Sequence, residues 1–439
     1  MQKSLWSDGI KLPEFNKLTH DENTDVLIIG GGICGILCAH LLQQAGTNYL
    51  LLEKDKIAQG ITCDTTAKIT SLHGLIYNEL INSFGTEYAQ KYLSANEDAL
   101  LRYNKLCKNI NCDFTTLPAI TYSVKNRKKI EDEIKALNSL GALAEFKSNS
   151  VLPFKIAGAV SLKNQAQFNP LKFLSEISKE LNIYENTKVN NITPTYAQCD
   201  KCKVFYKKII VATHFPFINR HGNYFLKMYQ HRSYVLALDA AQKLDGMYVD
   251  EEMCGLSFRN SDNLLLLGGG GHRTGKDGGN WSELLKFKNR YYPDSKIAYK
   301  WATQDCITLD NIPYIGQYSP KTPNVYVATG FNKWGMTSSM AAANILCDLV
   351  LEKKNDFSDV FSPSRSILKP QLFINGIETI KNFISPTTKR CPHLGCALKW
   401  NKEEHTWDCP CHGSRFTKDG HVLDNPAVKD LKIKEEPEF

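Results

Sequence analysis

The chain has 439 residues, 42% of them hydrophobic and 23% charged, with 53 Lys and Arg against 46 Asp and Glu. That length exceeds one ordinary domain and points to two or three, and the composition is that of a globular protein with a sizeable core. The net charge of +7 is spread along the chain without a long block of one sign, which, read from charge alone, argues against nucleic acid or an anionic membrane as a partner.

Charge begins at Lys3 and no apolar stretch of the signal-peptide kind follows, so a cytoplasmic chain is expected. Val26 to Ala45 holds no Asp, Glu, Lys or Arg, but glycines at 30, 31, 32 and 35 break it into a short run and a helix, which argues against a membrane span. Asp25 to Ile29 reads as a buried strand, Ile33 to Ala45 as a helix ended by Gly46, and Tyr49 to Leu52 as the next strand. Together they make a βαβ unit. Its first turn is Gly30-Gly31-Gly32-Ile33-Cys34-Gly35. Gly30 permits the tight turn, Gly32 lets the backbone approach a pyrophosphate, and Gly35 lets helix and strand pack closely. The helix N-terminus favours the phosphate charge. Glu53 ends the second strand 18 residues after Gly35, where a carboxylate accepts hydrogen bonds from ribose hydroxyls. Glycine turns are common; the strand before, the helix after and the acid in place make this one a dinucleotide site.

Residues 75 to 145 read as helical, with charges interleaved among Leu, Ile and Tyr, and Cys107 and Cys112 as a packed helix end. From about 160 to 270 the texture turns to β-rich runs such as Ile209-Ile-Val-Ala and Leu264-Leu-Leu-Leu-Gly. Cys199-Asp-Lys-Cys202 sits in a polar turn, whereas a redox dithiol would open a helix after a strand. Val325-Tyr-Val-Ala reads as another strand, followed by a glycine turn and a helix from Thr337 to Leu351. Phe357 to Pro370 reads as a hinge and Ile374 to Phe383 as a helix.

Ten of the 14 cysteines are scattered through residues 34 to 347, while four crowd into residues 391 to 411 beside His393 and His412. That placement speaks for metal chemistry rather than a secreted disulfide framework. The tail runs Cys391-Pro-His393-Leu-Gly-Cys396, then 12 residues, then Cys409-Pro-Cys411-His412-Gly-Ser-Arg-Phe416. Two loops, each offering sulfur and imidazole, meet the need of a Rieske cluster for two thiolates on one iron and two imidazoles on the other. Zinc is the competing reading, since four Cys and two His can supply Cys₄ or Cys₂His₂, although zinc pairs are usually spaced C-x₂₋₄-C and H-x₃₋₅-H.

These loops resemble the Rieske [2Fe–2S] family. The match implies Cys391, His393, Cys409 and His412 as ligands, and Cys396 with Cys411 as a disulfide clamping the loops. It also implies that Ser414 donates to a cluster sulfur, and that Phe416 stands where respiratory Rieske proteins carry a donating tyrosine, which lowers the potential. Upstream, Thr308-Leu-Asp-Asn-Ile-Pro-Tyr-Ile-Gly316, Val327-Ala-Thr-Gly330 and Trp334-Gly-Met-Thr337 resemble the closing flavin segment of the D-amino-acid oxidase (DAO) family. Ile209-Ile-Val-Ala-Thr-His214 is similar to its FAD strand, and Thr65-Thr-Ala-Lys-Ile-Thr-Ser-Leu-His-Gly74 to the segment beside pyrophosphate and flavin. The resemblance implies FAD held by Gly30, Gly32, Gly35, Glu53, Thr65, Thr66, Ala67, Val189, Gly330, Trp334, Gly335, Met336 and Thr337. It makes His73 a candidate proton carrier, and Arg232, Arg259 and Arg273 candidates for clamping a substrate carboxylate. Tyr234 is similarly placed.

The whole order resembles bacterial FAD-dependent oxidoreductases with a C-terminal Rieske domain. The fold class implied is α/β: a Rossmann-type FAD-binding domain with an inserted β-rich substrate domain, then a small all-β iron–sulfur domain. Residues 1–355 would form the body, with Rossmann parts at roughly 22–75, 155–215 and 305–355 and substrate parts at roughly 76–154 and 216–304. Residues 356–370 would be a linker and 371–439 a Rieske domain shortened on its N-terminal side. The implied activity is a dehydrogenase that oxidises a small amine, amino acid or similar compound and passes electrons singly to the cluster and on to an external acceptor protein. Reversed flow, or a non-catalytic electron carrier or redox sensor, are the alternatives. Neither nucleic acid nor a transmembrane segment is expected.

Overall fold

The computed structural model describes residues 4–218, 221–239, 241–366, 370–387 and 389–432. Among these residues the strands form three sheets. The first is built on Glu22–Ile29, which pairs in parallel with Tyr49–Leu52 on one side and Lys203–Val211 on the other. Val325–Thr329 continues it beyond Lys203–Val211, again in parallel. Val26 to Ile29 and Tyr49 to Leu52 are all buried, as strands covered on both faces require. Helices Ile33–Gln44 and Gly335–Val350 lie against each other over this sheet, close enough for the Cys347 thiol to approach the Cys38 carbonyl at 3.6 Å. The hairpin Val189–Ile192 and Tyr196–Cys199 extends from Lys203–Val211. Buried Cys199 and Cys202 flank the turn that joins Tyr196–Cys199 to Lys203–Val211.

The second sheet is antiparallel at one end, where Met228–Asp239 lies between the edge strand Lys296–Thr308 and Leu264–Arg273. Its far half corrects the helical reading of residues 75–145. Helices Ile76–Phe84, Thr86–Cys107 and Arg127–Ser139 are present, but Thr115–Ser123 and Ala144–Lys147 are strands, both paired with Gly158–Gln167. Thr115-Thr-Leu-Pro-Ala-Ile-Thr-Tyr-Ser123 is rich in β-branched and aromatic residues, and its partner strand decides its state. Residues 158–167 thereby belong to this second sheet, not to the Rossmann layer.

The expected hinge is partly fastened. Val360 and Phe361 are buried, the Phe361 carbonyl accepts from Ile315 N at 2.8 Å, and Arg365 pairs with Asp310 at 2.7 Å. Residues 367–369 lie outside the described residues. Then come helix Pro370–Ile384 and a third sheet of four short antiparallel strands, Lys399–Asn401, Thr406–Asp408, Arg415–Phe416 and Val422–Asp424. Their small core contains Cys391, Cys396, Leu398, Cys409, Cys411 and Phe416. Among the described residues no helix is long and apolar enough to cross a membrane.

Candidate functional site

The glycine turn is built as its spacing implies. A Cβ on Gly30, at φ 111°, would lie 2.6 Å from the Ala212 carbonyl, and one on Gly35 would lie 1.9 Å from the Gly30 carbonyl oxygen. Only glycine fits at either place. Glu53 accepts from Gly31 N at 2.7 Å and from Asp55 N at 2.9 Å. Burial raises its pKa, opposed by these two amides. Above the turn opens a cavity of about 900 Å³. Gly30, Gly32, Glu53, Thr65, Thr66, Val189 and Trp334 to Met336 line it, the last of these at the N-terminus of helix Gly335–Val350. Gly35, Ala67, Gly330 and Thr337 support this lining from behind: the Thr337 hydroxyl donates to Thr70 O at 3.0 Å, and Gly330 leaves room for Thr308, which a Cβ would approach to 2.3 Å.

His73 reaches the cavity but is clamped. Its Nδ1 meets Tyr92 Oη at 2.7 Å and its Nε2 meets Thr70 O and Thr337 Oγ1 at 2.8 and 3.0 Å. Its ring stacks on Trp334 at 4.9 Å. Burial pushes its pKa down to about 3, which favours the neutral ring.

The three arginines depart from the expected substrate clamp, and none lines the cavity among the described residues. Arg259 donates to Thr66 O and Ala67 O at 2.7 and 2.8 Å, fixing the backbone of the pyrophosphate-side segment. Arg232 forks onto Glu404 of the tail. Arg273 donates to Pro410 O and Cys411 O, each at 3.0 Å, and to Asn375 Oδ1 at 2.8 Å. Tyr234 Oη donates to Glu404 at 3.1 Å. The three guanidinium groups are spent on architecture, whereas Tyr234 also lines the cavity.

Other groups missed in the sequence do face the cavity: Lys68, His214, Asp305 and Lys333. Lys68 Nζ donates to Thr66 Oγ1 at 3.0 Å, and burial together with the charge of Arg259 brings its pKa down to about 7. Burial lowers the Lys333 pKa, opposed by the carboxylate of Asp305, whose own pKa burial raises. His214 and Lys333 both hold positive φ, 64° and 70°, a backbone state that non-glycine residues enter at a cost and that concentrates at functional sites. Lys68 and His214 lie within segments that the sequence already ties to the nucleotide, but no spacing singles out any of the four side chains.

In the tail, the two cysteine loops face each other. The first is closed by Cys391 N donating to Cys396 O at 2.9 Å, the second by Cys409 N donating to Ser414 O at 2.9 Å. The imidazoles of His393 and His412 approach to 5.1 Å between centroids at 88°, and Phe225 of the body packs edge-on against both. Burial pushes their pKa values down to about 4 and about 3, leaving the neutral rings that ligate metals. His412 is 1% exposed, yet among the described residues neither of its ring nitrogens has a hydrogen-bond partner. A buried orphan of that kind suits a metal ligand. The Cys391 and Cys409 sulfurs are neighbours, and Ser414 donates toward Cys391. Cys396, Cys409 and Cys411 place their sulfurs within 4.8 Å of one another. Cys396 and Cys411, expected as a disulfide, thus stand close together, without an S–S bond in this structure. This donor set, two imidazoles and crowded thiols, fits a [2Fe–2S] group.

The two sites share a wall. Gln230 donates to His412 O at 3.2 Å and to Asn425 O at 2.7 Å, and Gln304 donates to Gly413 O at 3.0 Å. A Cβ on Gly413 would strike Gln230 at 2.4 Å, so the second cluster loop sits directly on the body. Leu423, Asp424, Asn425 and Val428 of the tail line the same cavity as Gly30 and Trp334.

The profile of the FAD dependent oxidoreductase (DAO) family matches residues 25–349, and that of the Rieske [2Fe-2S] domain residues 369–435. A Bacillus subtilis protein named for a Rieske 2Fe-2S centre, YhfW, is 34% identical over 493 aligned positions, covering 98% of this chain and 97% of its own. The tail alone is 51% identical over 43 residues to cytochrome b6-f complex iron-sulfur subunit 3 of Nostoc, 10% of this chain and 24% of that one. Among solved structures, glycine oxidase from Geobacillus kaustophilus matches at TM-score 0.66 and 17% identity, covering 79% of this chain and 99% of its own. L-amino acid deaminase from Proteus vulgaris matches at 0.64 and 15%, covering 81% and 100%. At such identities these structures show the fold.

Proposed function

The chain belongs to the FAD dependent oxidoreductase (DAO) family and carries a C-terminal Rieske [2Fe-2S] domain, and we propose that it is a dehydrogenase for a small amino acid or related amine that delivers electrons to an external one-electron acceptor. FAD, when bound, accepts a hydride from carbon, and a Rieske cluster carries electrons one at a time. The observation that carries this reading is the common wall: tail residues Leu423, Asp424, Asn425 and Val428 line the cavity above the glycine turn. An oxidase that handed its electrons to oxygen would have no use for a cluster domain built into that wall.

The chain's own residues divide the work. Gly30, Gly32 and Glu53 would hold the dinucleotide, while the N-terminus of helix Gly335–Val350 would face the flavin. Cys391, Cys409, His393 and His412 would ligate the cluster, with Cys396 and Cys411 behind them. Lys333 and Asp305, oppositely charged in one cavity, would take the carboxylate and the ammonium of an amino acid. Two structural neighbours are named for amino acids, glycine oxidase and L-amino acid deaminase, which supports that substrate class.

Anaerobic addition of a panel of amino acids and amines to the holoenzyme tests this. The expected result is flavin bleaching followed by the electron paramagnetic resonance of a reduced Rieske cluster. Bleached flavin beside a cluster that stays oxidised would overturn the direction of flow. Lys333→Met should raise KM for the active amino acid by about one to two orders of magnitude, as loss of one charged hydrogen bond implies, with a smaller effect on kcat.

A further inference from the structure

We propose that helix Pro370–Ile384 is a membrane-surface anchor, which lays an apolar face into an anionic lipid bilayer beside the cluster loops. The helix has 15 residues, roughly 22 Å of length, too short to span a bilayer. Phe373, Ile377, Ile380 and Ile384 follow one another at helical spacing and are 69%, 64%, 65% and 73% exposed. Ile374 and Phe383, at 51% and 57%, widen the stripe. A helix of a soluble protein turns such a stripe inward, and a contiguous exposed patch of this kind marks an interaction site.

The orientation is held by specific bonds on the opposite face. Asn375 and Asn382 are 3% and 5% exposed. Arg273 donates to Asn375 Oδ1 at 2.8 Å, and Lys276 pairs with Glu378 at 2.5 Å. The helix thus presents its polar side to its own protein and its apolar side outward, the arrangement of an interfacial helix whose aqueous half is replaced by a folded domain.

Charge and shape select the occupant. Glu378 is the helix's acid and is neutralised by Lys276. Lys381 is exposed, and Arg390, also exposed, is tied to the helix end through Phe383 O and Ser385 O at 2.9 and 3.1 Å. The fold gathers these cations around the stripe although the sequence spreads charge evenly, and basic residues beside an apolar helix favour anionic lipid. The stripe is the convex ridge of a single helix, which a headgroup layer accommodates without a matching groove. It continues into the first cluster loop: Gly395 lies under the Phe383 ring, which a Cβ there would meet at 3.4 Å, and neighbouring Leu394 is 38% exposed.

Flotation of the holoenzyme with vesicles tests the proposal, using phosphatidylcholine alone and phosphatidylcholine with equimolar phosphatidylglycerol. The protein is expected to float with the anionic vesicles, less so at high salt or with phosphatidylcholine alone. Ile377→Ser/Ile380→Ser should cut that partition by about tenfold or more, with flavin absorbance and Rieske resonance unchanged. Lys381→Glu should weaken binding to anionic vesicles only. Protein that stays at the bottom of the gradient with anionic vesicles, or a double variant that floats like the parent, would overturn it. So would a dimer seen by light scattering that the double variant converts to monomer, because the stripe would then belong to a second copy of the chain.

Discussion

Phe416 is fully buried in the small core beneath the cluster loops and offers no hydroxyl where respiratory Rieske proteins carry a tyrosine. Phe416→Tyr should raise the cluster midpoint, by roughly 60 mV for each 1.4 kcal/mol by which the new donor favours the reduced state. A redox titration followed by electron paramagnetic resonance reads the shift, and an unchanged or lower midpoint would count against Phe416 as a tuning position. At this scale the sequence was most legible where chemistry is contiguous. Cys391 to Cys396 and Cys409 to His412 are two short loops whose donors stand side by side. The arginines were misread because their partners are far away in sequence: Arg232 meets Glu404 across 172 positions and Arg273 meets Cys411 across 138. A guanidinium fork that suits a substrate carboxylate suits a glutamate of the same chain equally well.

Among the elements, the second cluster loop depends on strand Leu264–Arg273, whose last residue holds two of the loop's carbonyls. Arg273→Gln keeps hydrogen-bonding capacity but removes the fork and a positive charge beside the thiolates. It should lower the cluster midpoint and broaden the Rieske resonance while leaving the flavin spectrum intact. A variant with an unaltered resonance and midpoint would reduce Arg273 to a surface tie. The βαβ unit was readable because glycine and apolar runs delimit it locally. Thr115–Ser123 was not, since a strand with a proline at its centre takes its state from partners elsewhere in the chain. Helix Pro370–Ile384 was half-read, its existence visible and its outward apolar face hidden, because the polar side finds its partners only in the folded body.

Over the whole molecule, body and tail are joined by a buried ion cluster in which Glu404 lies between Arg232 and Arg415, with Asp408 and Asp424 behind. Burial alone would push the Glu404 pKa up, but the two guanidinium groups override it and hold it near 2 against an ordinary value of 4.5. The carboxylate therefore contributes stability that is complete above pH 4.5 and fades as pH falls toward 2. The amount is on the order of 3 kcal/mol. Glu404→Gln should be less stable at neutral pH by about 3–5 kcal/mol, because buried Arg232 loses its anion and Arg415 loses one of three. It should also lose less stability than the parent between pH 5 and pH 2. Thermal unfolding across that range checks both, and parallel pH profiles would show that the pair is not coupled to folding.

The tail residues Leu423, Asp424, Asn425 and Val428 bound the same chamber as the nucleotide turn. Removing the iron–sulfur module would therefore not yield a simpler version of the enzyme. It would strip four residues from the chamber's lining and leave that side open to water and dioxygen. Fusion in this molecule is less a tether between two carriers than a way of making one carrier the door of the other's room.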